Sequence, residues 1–467
     1  MEKRVVRKLD FHVIPLVVAL YLLSFLDRSN IGNAKIAGMS EDLKLTSPSY
    51  DWLLTIFYIS YIVFEWQALM WKVIPPHIWG AFSVLGWGII SSAQAAATSW
   101  KAMMALRFLL GVTEAGFGPG IPYLLSFFYE RRELGLRIGL FVSAAPLATT
   151  FAGALAFGIT SGHAKLAAWR LLFLVEGLPT VAMAVVTFFF LPDTPDTARF
   201  LTEDEKHVAR ARAIRQAGRE KRVGIIQWRE VGIALLDPKA WFTALIYFST
   251  NVSFSSLPVF LPTILKEMGF TAINAQGLTA PPFFLAFLAT VITTWIADRT
   301  QQRGLVIMIV ATIGGIGYIL LATCKSVGAR YTGVILAGCG VFPVIGNTLP
   351  WVLNNQGTDT RRGVGIVLLN LIGQCGPLLG TRLYPGKEGP FYVKGQSICA
   401  AFMFLDVLLA FLLRTLLKWE NKKLDRQYGT LDEQRVRAEA AVARGESEKA
   451  GEGEGVENYG PLYRYVL

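Results

Sequence analysis

The sequence predicts an all-α membrane protein of twelve transmembrane helices in two six-helix halves. Three observations predict it. Charged residues make up only 17% of the 467-residue chain and hydrophobic residues 53%, where soluble domains carry roughly 25% charged residues. The charges gather in short runs between long apolar stretches, and mean hydropathy is +0.43. The apolar stretches have about 18–25 residues, enough to cross roughly 30 Å of hydrocarbon, and a long polar loop follows the sixth.

In chain order the spans fall near 11–33, 51–71, 78–98, 102–129, 135–160, 169–191, 239–265, 275–297, 304–323, 331–355, 362–384 and 395–417. The start, MEKRVVRKLDFHVIPLVVALYLL, has a basic head and an apolar run but no A-x-A cleavage site, so it reads as a signal anchor. The domain organisation is an N-terminal half over 1–191, a linker loop over 192–238, a C-terminal half over 239–418 and a disordered tail over 419–467. The linker holds TEDEKHVARARAIRQAGREKRV, an amphipathic basic helix candidate and the densest Lys/Arg run. The positive-inside rule puts it in the cytoplasm. ERRELGLR, DRTQQRG and DTRRG fall on the same side, as do both termini, which suits a multi-pass protein of the plasma membrane. The net charge of +11 reflects these loops and excludes no membrane role, so nucleic acid is not an expected partner. Cys324, Cys339, Cys375 and Cys399 all lie in apolar segments without metal-ligand spacing, and no disulfide framework, metal or cofactor is indicated. The sequon at Asn251 lies inside a span. A monomer in the lipid bilayer is the expected state.

Function is sought where polar residues interrupt apolar helices. A charge at mid-membrane costs roughly 2.5–3.5 kcal/mol on insertion scales and faces a bundle interior or a wet cavity. Arg107 and Glu114 sit seven apart in RFLLGVTEAGFGPG, two turns of helix, with Gly111 between them and Gly118 one turn on. They line a polar path or form an ion pair that locks helices. In the first span, Tyr21, Ser24 and Arg28 share a face, with Asp27 beside it; the pair Asp27–Arg28 snorkels to water or, if the helix runs on through Ile31, lies deeper. Tyr58, Tyr61 and Glu65 repeat the spacing in the second span and suit a polar ligand or interfacial packing. Glu176 in the sixth span reads as one side of an internal salt bridge. Asn251 and Ser255 precede Pro258 and Pro262 in a kinked seventh span. Asn347, Trp351, Asn354 and Asn355 mark the tenth and Asn370 and Gln374 the eleventh, as helix glue or as ligand contacts. Two six-span halves with polar residues near the middle are what a secondary transporter built from repeats requires.

RKLDFHVIP, LSFLDRSNIGNAK, RFLLGVTEAGFGPG, AWRLLFLVEGLPT, FLPTILKEMGFTAINAQGLTAPPF and GVFPVIGNTLPWVLNN together resemble the major facilitator superfamily. Within it they resemble the anion:cation symporters and, more narrowly, the fungal allantoate-permease branch, over about Val6 to Asp425. The superfamily's loop motif G-x-x-x-D-R-x-x-R-R is recognisable as WIADRTQQR. The first-half copy departs from the pattern: where the branch reads E-x-P-S-N, this chain keeps Glu65 and continues Trp66, Gln67, Ala68. The resemblance implies the major facilitator fold. It also implies anion-holding roles for Arg28 and Arg107, proton-coupling roles for Asp27 and Glu114, and gating roles for Asp298, Arg299 and Glu65. Tyr58, Tyr61, Asn251, Asn347, Trp351 and Asn354 complete the candidate substrate contacts. Asp298 is expected to cap the start of the fifth span, around Leu134 to Arg137, because a carboxylate is attracted to a helix N-terminus.

The function this implies is proton-coupled uptake of a small organic anion, a carboxylate such as allantoate, nicotinate or pantothenate, with the anion and the proton as partners. Arginine remains charged when buried, so a carboxylate offsets its desolvation. Proton-driven efflux of a metabolite or drug is the rival within transport; clustered arginines argue for an anion site. A nutrient sensor that binds without transporting is the rival of another class and calls for a larger signalling domain than this tail. An enzyme is excluded by the lack of a His-box, H-E-x-x-H or G-x-S-x-G motif.

Overall fold

The computed structural model describes residues 1–130, 133–162, 165–217, 228–357, 359–434 and 463–467. Its elements are helices throughout, and twelve of them, some broken, form the spans. In the first half these are Ile14–Ala34, Ser47–Phe64, Pro76–Ala93, Trp100–Glu114 with Phe117–Phe128, Leu134–Ser161 and Ala168–Phe190. In the second they are Pro238–Glu267, Ala280–Thr300, Arg303–Thr323, Val327–Asn355, Asp359–Gly373 with Cys375–Gly380, and Val393–Tyr428. Ten of the described helices are long and apolar enough by themselves to cross a membrane. The third span misses through its His, Trp, Ser and Gly content, and the fourth because it is broken.

Local chemistry sets the starts and breaks. Side-chain caps open span two (Thr46 on Ser49 N, 3.3 Å), span four (Ser99 on Ala102 N, 3.3 Å), span seven (Asp237 on Lys239 N, 3.0 Å) and span ten (Ser326 on Ala329 N, 3.3 Å). A proline clashes with the carbonyl four residues earlier. Pro119 accounts in this way for the break in span four at Ala115, and Pro377 for the end of the first piece of span eleven at Gly373. Span seven keeps its helix through Pro258 and Pro262. The carbonyls beside the span-four break are taken by the residues that stand at and after the departed motif. Trp71 Nε1 donates to Gly116 O at 2.8 Å and Gln67 Nε2 to Val112 O at 3.2 Å.

The halves meet through span one against seven, spans two and four against eleven, and span five against eight and ten. One face carries both chain ends and the linker helix Glu203–Ala217, as the bonds Lys8–Glu205, Asp10–Arg137 and Gly304–Leu467 show. We call it the loop face. The far face is closed by Thr55 on Thr381 (3.3 Å), Arg382 on Thr55 (3.3 Å) and Thr160 on Gln276 (2.7 Å). Here Gly32 lets span one lie directly on span seven, because a Cβ would sit 2.5 Å from Val259 O.

Of the two readings of the first span the deeper one holds: its helix continues through Ala34, and Asp27 and Arg28 are buried. One expectation changes. Disorder was expected from 419, yet the last long helix continues to Tyr428 and residues 463–467 are packed on the loop face; residues 435–462 lie outside the described residues.

Candidate functional site

A small cavity of about 20 Å³ with both polar and apolar walls lies between the halves, room for about one water. Its walls are Tyr21 and Arg28 of span one, Tyr58 and Tyr61 of span two, Gly118 and Phe141 of spans four and five, Tyr247, Asn251, Phe254 and Ser255 of span seven, Leu349 of span ten, and Asn370, Gln374 and Pro377 of span eleven. Arg28 is the charged group on this wall. Its guanidinium lies 5.0 Å from the Phe57 ring centre and 4.9 Å from that of Tyr61, a cation–π setting, and donates from Nη2 to Glu114 Oε2 at 3.0 Å. Ser24 Oγ donates to the same oxygen at 3.2 Å. The other carboxylate oxygen, Oε1, is buried without a hydrogen-bond partner among the described residues. Tyr21, on the same helix as Arg28, stacks on Phe141 with centroids 4.2 Å apart.

Sequence-predicted residues divide into those the cavity gathers and those it does not. Arg28, Tyr58, Tyr61 and Asn251 line it. Arg107 is buried behind Phe57, 5.2 Å from the ring centre, with Nε and Nη1 unpartnered among the described residues. Its face-mate Glu114 reaches across to span one instead: residues seven apart on a helix are separated by roughly 10 Å along the axis. Gly111, between them, is not part of a polar path; it seats span four on Phe57 O and Ser60 of span two. Asp27 points away from the cavity into the first half and accepts from Ser91 (2.5 Å) and Thr180 (3.3 Å). Glu176 forms no salt bridge there; both of its oxygens lack partners among the described residues, which corrects the expectation of an internal pair.

In the second half Asn347 is fully buried and folds its amide back on Pro343 O at 2.9 Å, off the cavity wall. Trp351 and Asn354 lie at the loop-face end of span ten, where Trp351 Nε1 donates to Val466 O at 2.8 Å and Asn354 O accepts from Tyr463. Tyr247, Phe254 and Phe141 line the cavity without having been singled out; aromatic residues in apolar helices give no signal against the background of core packing. Asp406 of span twelve also went unremarked and is wholly buried, bonded to Thr250 at 2.8 Å.

At the loop face Asp298 joins the two halves. It accepts from the backbone N of Leu136, in the first turn of span five, and pairs with Arg303 across its other oxygen. Gly135 and Gly139 make room for this crossing against Arg303 and Thr294. Arg299 is exposed and lies over Trp295 at 4.6 Å rather than on Asp298. Glu65 is fully buried where span two tightens into a 3₁₀ turn, without a hydrogen-bond partner among the described residues. It is no loop-face contact like Asp298.

Two six-helix halves closed around a buried polar site form the architecture of a secondary transporter, whose substrate binds near the midplane between repeats. Residues 17–381 match the family model described as Major Facilitator Superfamily, and the chain belongs to that superfamily of multi-pass membrane transporters, which are not enzymes. It is 34% identical to "MFS transporter prlL" of a fungal species (strain NRRL 50135), covering 91% of this chain and 88% of that protein. It is 30% identical to the "High-affinity nicotinic acid transporter" of Saccharomyces cerevisiae, covering 91% and 79%. Among solved structures it resembles the proton:xylose symporter XylE bound to 6-bromo-6-deoxy-D-glucose, with a TM-score of 0.69 at 13% identity over 85% of this chain and 94% of that one. That likeness is one of fold.

Proposed function

We propose that the protein takes up a small organic carboxylate together with a proton, in the manner of the anion:cation symporters its motifs resemble. The observation that carries this reading is the Arg28–Glu114 pair at the edge of the central cavity. A buried arginine keeps its charge and presents a planar fork that suits a carboxylate. A substrate carboxylate displaces Glu114 from Arg28. Glu114, left among Ser24 and apolar neighbours, then takes up a proton, because an uncompensated buried charge is unfavourable. Anion and proton thus bind together. The aromatic residues that line the cavity with Arg28 (Tyr21, Tyr58, Tyr61, Phe141, Tyr247 and Phe254) favour a flat substrate, which among the candidate carboxylates points to nicotinate over allantoate or pantothenate; the nicotinic acid transporter among the relatives supports the same choice. The cavity of about 20 Å³ is contracted around no such molecule, so loading requires the halves to rock apart. Arg107, close behind Phe57, holds a second positive charge over the site.

Both termini and the linker are assigned to the cytoplasm and the protein to the plasma membrane on the positive-inside rule. The test is uptake of labelled nicotinate, allantoate and pantothenate into vesicles of purified protein. Accumulation of at least one above equilibrium is expected with an inward proton gradient and is lost when the gradient is collapsed. Equal uptake under both conditions overturns proton coupling; no carboxylate entering under either overturns the substrate class.

A further inference from the structure

On the loop face of the second half residues 463–467, Tyr-Arg-Tyr-Val-Leu, pack against spans ten and twelve. Two asparagines read their backbone. Asn421 Oδ1 accepts from Tyr465 N at 2.8 Å while its Nδ2 donates to Tyr465 O at 2.9 Å. Asn355 does the same for Val466, accepting at 2.8 Å and donating at 3.0 Å. A side-chain amide that satisfies both the N–H and the C=O of one residue replaces a strand partner, so the site suits extended chain of any origin. Side chains add selectivity. Arg464 pairs with Asp425 at 2.7 Å, and Tyr463 is 1% exposed.

The site ties span ten to the extension of span twelve, and its last contact reaches the gate. Leu467 O accepts from Gly304 N at 3.2 Å. Gly304 follows Arg303, which pairs with Asp298, which accepts from Leu136 of the other half. Peptide, gate ion pair and first-half helix therefore form one chain of polar contacts.

We infer that this site is a regulatory peptide site and that its occupant, the 463–467 segment, is a brake that stabilises the closed loop face. Opening moves Asp298 away from Leu136 and shifts Arg303–Gly304, the residues the peptide braces. By linkage, whatever favours the docked peptide favours the closed gate, and opening weakens docking by the same factor.

The test uses the full chain in lipid nanodiscs, with the four native cysteines replaced by alanine and spin labels on the exposed loop-face positions Asp204→Cys, on the linker helix bonded to the first half, and Thr300→Cys, in the second half. The distance distribution between labels reports loop-face opening. Removal of residues 463–467 is expected to raise the longer-distance population at least threefold. The synthetic peptide Tyr-Arg-Tyr-Val-Leu, added in excess, is expected to reverse the change. Asn355→Ala, which removes two of the bonds, is expected to weaken binding of that peptide by roughly 30-fold. If the shortened chain does not fold, Asn355→Ala with Asn421→Ala in the full chain releases the segment and gives the same readout. Peptide that binds without altering the distances marks a structural staple and overturns the brake, and failure of the peptide to bind the shortened chain overturns the site.

Discussion

The two halves of this bundle share a helix count but divide the polar chemistry unequally. The first half buries Arg28, Arg107, Asp27, Glu65, Glu114 and Glu176 within its spans. The second faces the cavity with amides and hydroxyls, Asn251, Ser255, Asn370 and Gln374, and its wholly buried carboxylate, Asp406, lies on span twelve away from the cavity. The difference teaches where charge is exchanged and where shape is read. A charge inside a membrane is costly and is retained where it acts, whereas an amide contributes on the order of 1 kcal/mol per hydrogen bond. On the proposed mechanism, ion coupling belongs to the first half and substrate fit to the second.

The comparison breaks first at Arg28. Arg28→Ala is expected to reduce carboxylate affinity about 30-fold or more, since truncating one side of a buried charged contact costs roughly 2–5 kcal/mol or more. It also leaves Glu114 without its cation, at a stability cost of roughly 3–5 kcal/mol. The double variant Arg28→Ala with Glu114→Gln recovers thermal stability but not uptake. Wild-type affinity in Arg28→Lys would sink the anion assignment.

Glu114→Gln keeps the shape of the site and removes the exchangeable proton. It is expected to exchange substrate across the membrane while failing to concentrate it, with an affinity that no longer varies with pH. Counterflow and gradient-driven uptake measured side by side decide the matter; accumulation by this variant places coupling elsewhere, with Asp27 next in line.

Asn251→Ala sharpens the contrast from the other side. Loss of about 1–2 kcal/mol of hydrogen bonding raises the half-saturating substrate concentration roughly 5–30-fold and leaves accumulation ratios unchanged. A collapse of coupling in this variant would show that the second half does more than fit the substrate.

The smallest effect lies outside the membrane. The Lys8 ammonium, 2.6 Å away, holds the Glu205 carboxyl below the usual carboxylate range. A group lowered in the folded state stabilises it above its unfolded value, about 4.3 for Glu, and that contribution is lost as pH falls through the lowered folded value. The docking of the N-terminal helix, Glu2–His12, on the linker helix is therefore expected to be intact at neutral pH and to loosen only in acid. Hydrogen exchange of the amides of residues 3–8, followed from pH 7 to pH 3 and corrected for intrinsic rates, measures it.

How much of this is legible in the sequence follows from what a single helix can reveal. Apolar length alone yields twelve spans, and the cost of buried charge alone singles out Arg28, Arg107 and Glu114. Asp298 beside the start of span five follows from the loop pairing that the family resemblance implies, together with a carboxylate's attraction to a helix N-terminus. Which arginine holds Glu114 does not: residue spacing reports what shares a face of one helix, and the pairing of span four with span one is a tertiary fact. The same gap hid the surroundings of Glu176. The amides of span ten misled for another reason. Asn355 and its neighbour Trp351 have partners more than 100 positions away, in a segment whose only signal is the return of tyrosine, valine and leucine after a polar, glycine-rich stretch.

Gly32 has a further consequence. At Gly32 main chain of span one lies directly on main chain of span seven, with no side chain between them to be withdrawn, beside the side-chain contacts of Thr55, Arg382 and Thr160 that also close the far face. A latch of that kind has no graded setting. The added carbon of any other residue at position 32 acts as a wedge between spans one and seven, and tilts the resting molecule toward the state open on the far side. The balance between the two faces of this transporter rests there on one absent methyl group, which makes it adjustable without touching the substrate, the proton or the lipid.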